Sequence, residues 1–260
     1  MKRYLKLYWL FSVQSLKVVW QHKTGVLFFM FGKLIRFLMF LFFVMILVKN
    51  TKTLVGYTFN ETLVFYFTFN VIDTLTQMLF REVYRFRWLV TSGELDGVLV
   101  RPYHPFIRVL LGGLDILDLL MLGPYLALLT YFLLQIGLTT SYNLSLYLLL
   151  VVNSLIIATA FHIVVLALGV LTTEVDHTIM IYRDLSKLAV VPVDIYREPI
   201  RSLVTFVLPI GIMMTYPVKG LLNMLNWNLI IVSLVLGLAS LLFSLWLWGR
   251  ALKKYQSWGS

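Results

Sequence analysis

Cysteine is absent from all 260 residues, which excludes disulfide bonds and thiolate metal centres while leaving the compartment open. Charge is scarce too: 13% of residues are Asp, Glu, Lys or Arg, against 60% hydrophobic, and the mean hydropathy is +0.87. A water-soluble domain of this composition lacks the polar side chains to cover its own surface, so the bilayer must be its solvent. Acidic residues are the rarer sign, 12 against 22 Lys and Arg, for a net charge of +10. That excess does not point to nucleic acid, because the basic residues sit at the ends of apolar segments and not in a soluble patch with interleaved aromatics. With about 20 apolar residues needed per crossing, the length has room for roughly six spans and no separate soluble domain. A cleavable signal is not expected, since the first apolar stretch is amphipathic and no small-residue cleavage site follows it.

What is present is a series of apolar runs. Residues 1–25 read as an interfacial helix. From Lys2 to Gln21 the polar residues Arg3, Lys6, Gln14, Lys17 and Gln21 fall within about 80° on a helical wheel, with Trp9 and Trp20 elsewhere on it. Spans are expected near Val26–Val48, Phe59–Phe80, Phe106–Leu138, Leu144–Leu171 and Asn228–Trp248, with weaker candidates at Thr178–Tyr196 and Ile200–Pro217. The third contains Gly112, Gly113 and Gly123-Pro124 and should kink or begin outside the membrane.

Positive charge sets the sidedness. Arg81, Arg85, Arg87 and Arg101 in the interval after the second span, and Arg250, Lys253 and Lys254 at the end, put that interval and both termini in the cytoplasm. Seven crossings would leave the termini on opposite sides, so one weak segment does not cross. Ile200–Pro217, with Pro199, Pro209 and Pro217, suits a re-entrant hairpin entering from the outer face better than a straight helix. Thr178–Tyr196 is then the crossing, despite Arg183, Asp184 and Lys187. The expected fold is an all-α integral membrane protein forming a single transmembrane domain over 1–260. It has six transmembrane helices, the N-terminal interfacial helix, and an extracellular re-entrant element at 198–217 before the last span.

The cytoplasmic segment 82–105 carries the sharpest signal. Ser92 and Gly93 precede Glu94 and Asp96, acidic residues suited to the first turn of a helix, and Pro102 ends or bends it. A short helix with an apolar edge of Leu95, Val98 and Leu99 is expected. By spacing alone, an ordinary charged loop with solvated Glu94 and Asp96 fits at least as well.

The run SGELDGVLVRP, Ser92 to Pro102, resembles the first cytoplasmic loop of the membrane subunits of type 2 ABC exporters, in particular a bacterial subgroup with an SGELDxxLxRP loop. The order of elements is similar over almost the whole chain. The resemblance implies that Gly93, Glu94, Leu95, Asp96, Leu99, Arg101 and Pro102 form a coupling helix that docks into a separate ATP-binding subunit. It further implies two ATP-binding cassette subunits that bind ATP and Mg, a second permease, related or identical, and a multi-pass subunit of the bacterial plasma (inner) membrane. Membrane lipids would surround it, and an amphipathic or lipid-like substrate would move outward.

The chain carries no ATPase site of its own. Its nearest approach to a phosphate loop, Gly25 to Lys33, has six residues between glycines where four are needed and lacks the following Ser or Thr. No cofactor is therefore expected in this chain. Glu174, Asp176 and His177 are close in sequence, but such residues are common in a short turn and no metal is expected. Inside the spans, Arg36, Asp73, Asp115 and His162 fall roughly 13 to 15 Å deep, with Lys33 shallower and Asp118 deeper. They can form one polar layer in which Arg36 pairs with Asp73, or with Asp115 and Asp118; otherwise Lys33 and Arg36 snorkel outward. The layer also leaves open an ion-coupled transporter using Asp73, Asp115, Asp118 and His162 as a proton relay. An intramembrane lipid enzyme would need an acid/base or nucleophile pair that no motif supplies. Gly211, Met213, Met214 and Tyr216 suit either an outer plug or ordinary packing, while Phe59, Phe65, Tyr66 and Phe69 are expected to face lipid.

Overall fold

A computed structural model describes residues 2–21, 23–51, 53–137, 140–172 and 175–256. Among these the regular structure is helical, apart from one isolated bridge between Leu54 and Tyr57. Helix α1 (Lys2–Gln21) is one continuous helix and buries none of its residues. Helix α2 (Lys23–Thr51) follows and stands at the periphery. It buries Phe37, Val44 and Val48 and exposes Phe28, Phe31, Phe42 and Phe43, which a bilayer can cover.

Helix α3 (Phe59–Leu79) begins at a capping box: Glu61 N donates to Thr58 Oγ1 at 3.4 Å and Thr58 N donates to Glu61 Oε2 at 2.7 Å. It is buried on most sides. Phe65, Tyr66 and Phe69 are only 2%, 2% and 8% exposed, which corrects their expected place against lipid; Phe59 is half-buried. A 60° bend at the end of α3 leads through a 3-10 turn, Arg81–Arg85, into α4 (Phe86–Thr91) and α5 (Glu94–Leu99).

The expected third span is divided. A π-turn (Ile107–Leu111) ends at Gly112, and α6 (Ile116–Ile136) starts anew with Asp115 as its cap. Pro124 lies inside α6 without ending it. Helix α7 (Ser141–Thr172) is the central post, with α12 (Trp227–Lys254) along it and α6 along α3. Close approach of α7 and α12 rests on Gly237, which faces the Asn153 amide, and Asn153 Nδ2 donates to Ser233 O at 3.0 Å.

Between α7 and α12 the chain departs from a simple crossing. Helix α8 (Val175–Lys187) has 13 residues, about 20 Å at 1.5 Å per residue, too short to span alone. It stops because the chain tightens into i to i+3 turns at Leu188, Ala189 and Val190, and Pro192 then disfavours a helical residue before it. Tyr196 Oη donates to the carbonyl left at Leu188, at 2.8 Å. The expected crossing at Thr178–Tyr196 is therefore not a single helix. Residues 200–221 are short pieces, α9 (Ile200–Ser202), a π-turn, α10 (Ile210–Met214) and α11 (Tyr216–Leu221), broken at Pro209. Of the two readings of Gly211, Met213, Met214 and Tyr216, packing fits: all four are buried, and α10 and α11 lie against α7.

Among the described residues four helices, α2, α6, α7 and α12, are long and apolar enough to cross a membrane, and α3 with its bent continuation makes a fifth candidate. The architecture is thus an all-α, multi-pass membrane protein in which the six expected crossings are not six straight helices.

Candidate functional site

The Ser92–Pro102 segment closes the end of the molecule where the arginines gather. Its turn depends on Gly93, held at φ +72, a left-handed conformation that glycine adopts without the clash of a β-carbon. Helix α4 ends there through bonds from Ser92 N to Trp88 O (2.9 Å) and Gly93 N to Val90 O (3.2 Å). Glu94 and Asp96 then occupy the first turn of α5, where the helix dipole favours them.

The apolar edge of α5 is not free for a partner. Leu95 is fully buried and Val98 6% exposed, both within the chain's own core, which corrects the expectation for Leu95; Leu99 is half-buried. What faces outward is Glu94, Gly97, Arg101 and Pro102, together with Val100 (82% exposed) and Trp88 (58%). Asp96 points the other way. Burial, then the adjacent Asp96 carboxylate, pushes the Tyr255 phenol just beyond α12 up to about 12.

Ion pairs brace this segment from behind. Glu82, 5% exposed, accepts from Arg85 (3.3 Å) and Arg108 (2.5 Å) and lies across Gly112. Arg81 pairs with Asp115 at 3.0 Å, and Arg87 with Asp176 at 2.7 Å. Leu114 N donates to Ser12 Oγ of α1 at 3.0 Å, and Gly113 lets the Phe11 carbonyl approach. A cleft of about 740 Å³ remains between α1 and α5, with Ser15, Glu94, Arg101 and Arg108 on its walls. The role of Glu82 was not visible from sequence, because its main partner is 26 residues away.

A second feature lies deeper. A cavity of about 190 Å³ between α2, α3, α6 and α8 brings together Lys33, Arg36, Asp73, Asp118, Arg183 and Lys187 under an aromatic wall of Phe37, Phe40, Tyr66, Phe69 and Tyr125. Lys33 forms an ion pair with Asp118. Asp73 accepts from Gln77 Nε2 at 2.6 Å, and Lys187 pairs with Asp184 at 2.7 Å. Among the described residues neither Arg36 nor Arg183 makes an ion pair, although Arg183 stands over the Tyr84 ring at 5.9 Å. A cavity of about 570 Å³, sharing Lys33, Arg36 and Arg183, continues toward Arg81 and Arg85.

Of the expected polar layer, Arg36, Asp73 and Asp118 therefore line one cavity, while Asp115 and His162 lie elsewhere. Asp115 caps α6, accepting from Leu117 N at 2.9 Å, and holds Arg81. His162 is wholly buried, with Nδ1 against Ala158 O at 2.8 Å and Phe80 and Tyr182 around the ring. Arg183 and Lys187, read from sequence only as awkward charges in a weak span, belong to the cavity; intramembrane charge was the signal available for them. Among the described residues no group of three His, Asp or Glu could hold a metal. Asp176 is engaged with Arg87, and Glu174 lies outside the described residues.

A helical body with apolar helices long enough to cross a membrane and a braced arm at its basic end defines a multi-pass membrane protein. The chain belongs to the ABC-2 transporter family: the family model described as ABC-2 family transporter protein matches residues 34–259. This makes it the membrane permease component of an ABC transporter, not an ATPase subunit, with ABC ATP-binding subunits as partners. No curated protein and no solved structure matches it.

Proposed function

We propose that this chain is the permease subunit of a bacterial type 2 ABC exporter, with Glu94, Gly97, Val100, Arg101 and Pro102 as the face that meets the ATP-binding subunit. The observation that carries this reading is the exposed edge of Ser92–Pro102, whose buried side is pinned by Leu95 and Val98 and braced by the Glu82–Arg108 and Arg81–Asp115 pairs. A short element so held transmits a push instead of absorbing it, and Val100 and Trp88 offer apolar surface for a partner. Charges at Glu94 and Arg101 would fix register.

On this reading the basic end faces the cytoplasm, and both termini lie there, in the inner membrane. The bent α3 counts as one crossing. Helix α8 and the broken pieces up to Leu221 supply the fifth, with the stretch around Pro209 re-entrant from outside, and α12 completes six. Two ATP-binding subunits would hold ATP and Mg, and a second permease, identical or related, would complete the pathway. The substrate moves outward and is amphipathic or lipid-like, in keeping with aromatic walls beside charged ones in the cavity.

The test is purification of the tagged full chain from its native membrane in mild detergent, with mass spectrometry of what accompanies it. An ATP-binding subunit should come with the wild type and be largely lost from a Glu94→Ala/Arg101→Glu variant. Intact chain with no ATP-binding subunit in several detergents would sink the reading.

A further inference from the structure

The geometry points to a binding site for the anionic headgroup of an amphiphile in the cavity between α2, α3, α6 and α8, with Arg36 and Arg183 as its principal ligands. The inference deepens the exporter reading and rests on it for the view that the occupant is cargo. Four cations, Lys33, Arg36, Arg183 and Lys187, meet two carboxylates, Asp73 and Asp118, on the cavity wall. Asp118 is taken by Lys33, and Asp73 accepts from Gln77. Arg36 and Arg183 are left without an ion pair among the described residues.

Depth makes that imbalance informative. Arg36 lies 13 residues beyond Lys23, about 20 Å along α2, and the carboxylate that attracts it, Asp73, also attracts Arg183, so two guanidiniums share one negative charge where unbalanced charge is costly. A planar guanidinium suits phosphate and carboxylate oxygens, which it can engage through two parallel bonds. The route inward has a lining of the same sign: the cavity leading toward the basic end shows Arg81 and Arg85, each already paired with a carboxylate, beside the shared Lys33, Arg36 and Arg183, and, among the described residues, no acidic one on its wall.

The apolar part of the ligand also has a place. A groove of about 390 Å³ formed by Leu27, Phe28, Met30, Phe31, Leu34 and Met121 runs between α2 and α6. Met121 is shared with the charged cavity and Phe28 with the entry cavity, so a chain attached to a bound headgroup can leave sideways along α2. An inorganic anion would use the cations and leave this groove unused.

The test uses the purified full chain in a neutral detergent, titrated with phosphatidylglycerol bearing a fluorescent acyl chain and, in parallel, with phosphatidylcholine of the same chains. Wild type should prefer the anionic lipid by about tenfold, and Arg36→Gln or Arg183→Gln should each remove most of that preference, with Arg36→Lys retaining part of it. Asp73→Asn, which deletes a competing carboxylate, should bind the anionic lipid about threefold more tightly, a gain that misfolding cannot produce. Lys253→Gln/Lys254→Gln, at the end of α12, should leave the preference unchanged. Equal binding of the two lipids, or an equal loss in the Lys253/Lys254 variant, would overturn the site. Displacement by millimolar inorganic phosphate, against chloride at matched ionic strength, would overturn the need for an apolar chain. Recovery of the ATP-binding subunit is scored on the same preparations. Selective binding without that subunit would remove the exporter reading and keep the anion site, whereas recovery of the subunit without lipid selectivity would do the reverse.

Discussion

Glu82 lies across Gly112 so closely that a β-carbon on residue 112 would stand 1.7 Å from Glu82 Cγ. The glycine is also held at φ +52, so any side chain there meets both backbone strain and the carboxylate that pairs with Arg108. The contact joins the turn at Arg81–Arg85, which follows the bend after α3, to the turn at Ile107–Leu111.

Gly112→Ala should therefore destabilise the chain by about 2 kcal/mol or more. Gly249→Ala, inside α12 with open space around it, should be neutral or stabilising by about 0.5–1 kcal/mol. Thermal unfolding in detergent, followed by size-exclusion chromatography, distinguishes them. Equal midpoints for the two variants would show that the Glu82–Gly112 packing is unimportant.

At the α7–α12 contact a β-carbon on residue 237 would approach Asn153 Oδ1 to 2.0 Å, and Asn153 would have to swing away from the Ser233 carbonyl. Gly237→Ala is expected to cost about 1–3 kcal/mol, and markedly less in an Asn153→Ala background, where the obstructing amide is gone. Additive losses in the double variant would contradict this coupling.

The opposite end of the molecule is tied by Asp194, which accepts from Lys219 (2.7 Å), Arg201 (2.5 Å) and the Tyr57 hydroxyl (3.0 Å). Burial and the neighbouring carboxylate push the Tyr57 phenol up, so it remains a donor across the working pH range. Tyr57→Phe should cost about 1 kcal/mol, and Asp194→Ala about 3 kcal/mol, since it leaves the nearly buried Lys219 ammonium unpaired. Similar losses for the two would place little weight on the ion pairs.

Leu95 and Val100 separate folding from partner contact within one short segment. Leu95→Ala should lower stability by about 2–5 kcal/mol, because the side chain is fully buried. Val100→Asp should leave the unfolding midpoint nearly unchanged while reducing recovery of the ATP-binding subunit. A Val100→Asp chain that retains the subunit in full would move the contact face elsewhere.

Several elements were legible because their causes are local. The amphipathic periodicity of Lys2–Gln21 yields α1, the acidic first turn after Gly93 yields α5, and breaks fall at Gly112 and Pro209. The end of α8 was readable in principle from Pro192, but the apolar run Leu188–Val191 disguised it. The inward turn of Phe65, Tyr66 and Phe69 was not legible, since every side of a span is apolar and periodicity cannot separate a lipid face from a protein face, and that of Leu95 was not because an apolar edge on a six-residue helix suits a partner as well as the chain's own core.

By itself, then, the sequence determined the solvent, the helical class, the amphipathic helix at Lys2–Gln21 and the short arm at Ser92–Pro102, all of which follow from composition and from neighbours within a turn or two. Which charge meets which was decided only by tertiary structure. Lys33 and Asp118 are 85 residues apart, Glu82 and Arg108 26, and Arg183 enters the cavity from a helix too short to span. Such pairings depend on how helices pack and rotate against one another, and in a membrane that rotation is set by close contacts such as Gly237 on Asn153, which no hydrophobic pattern encodes.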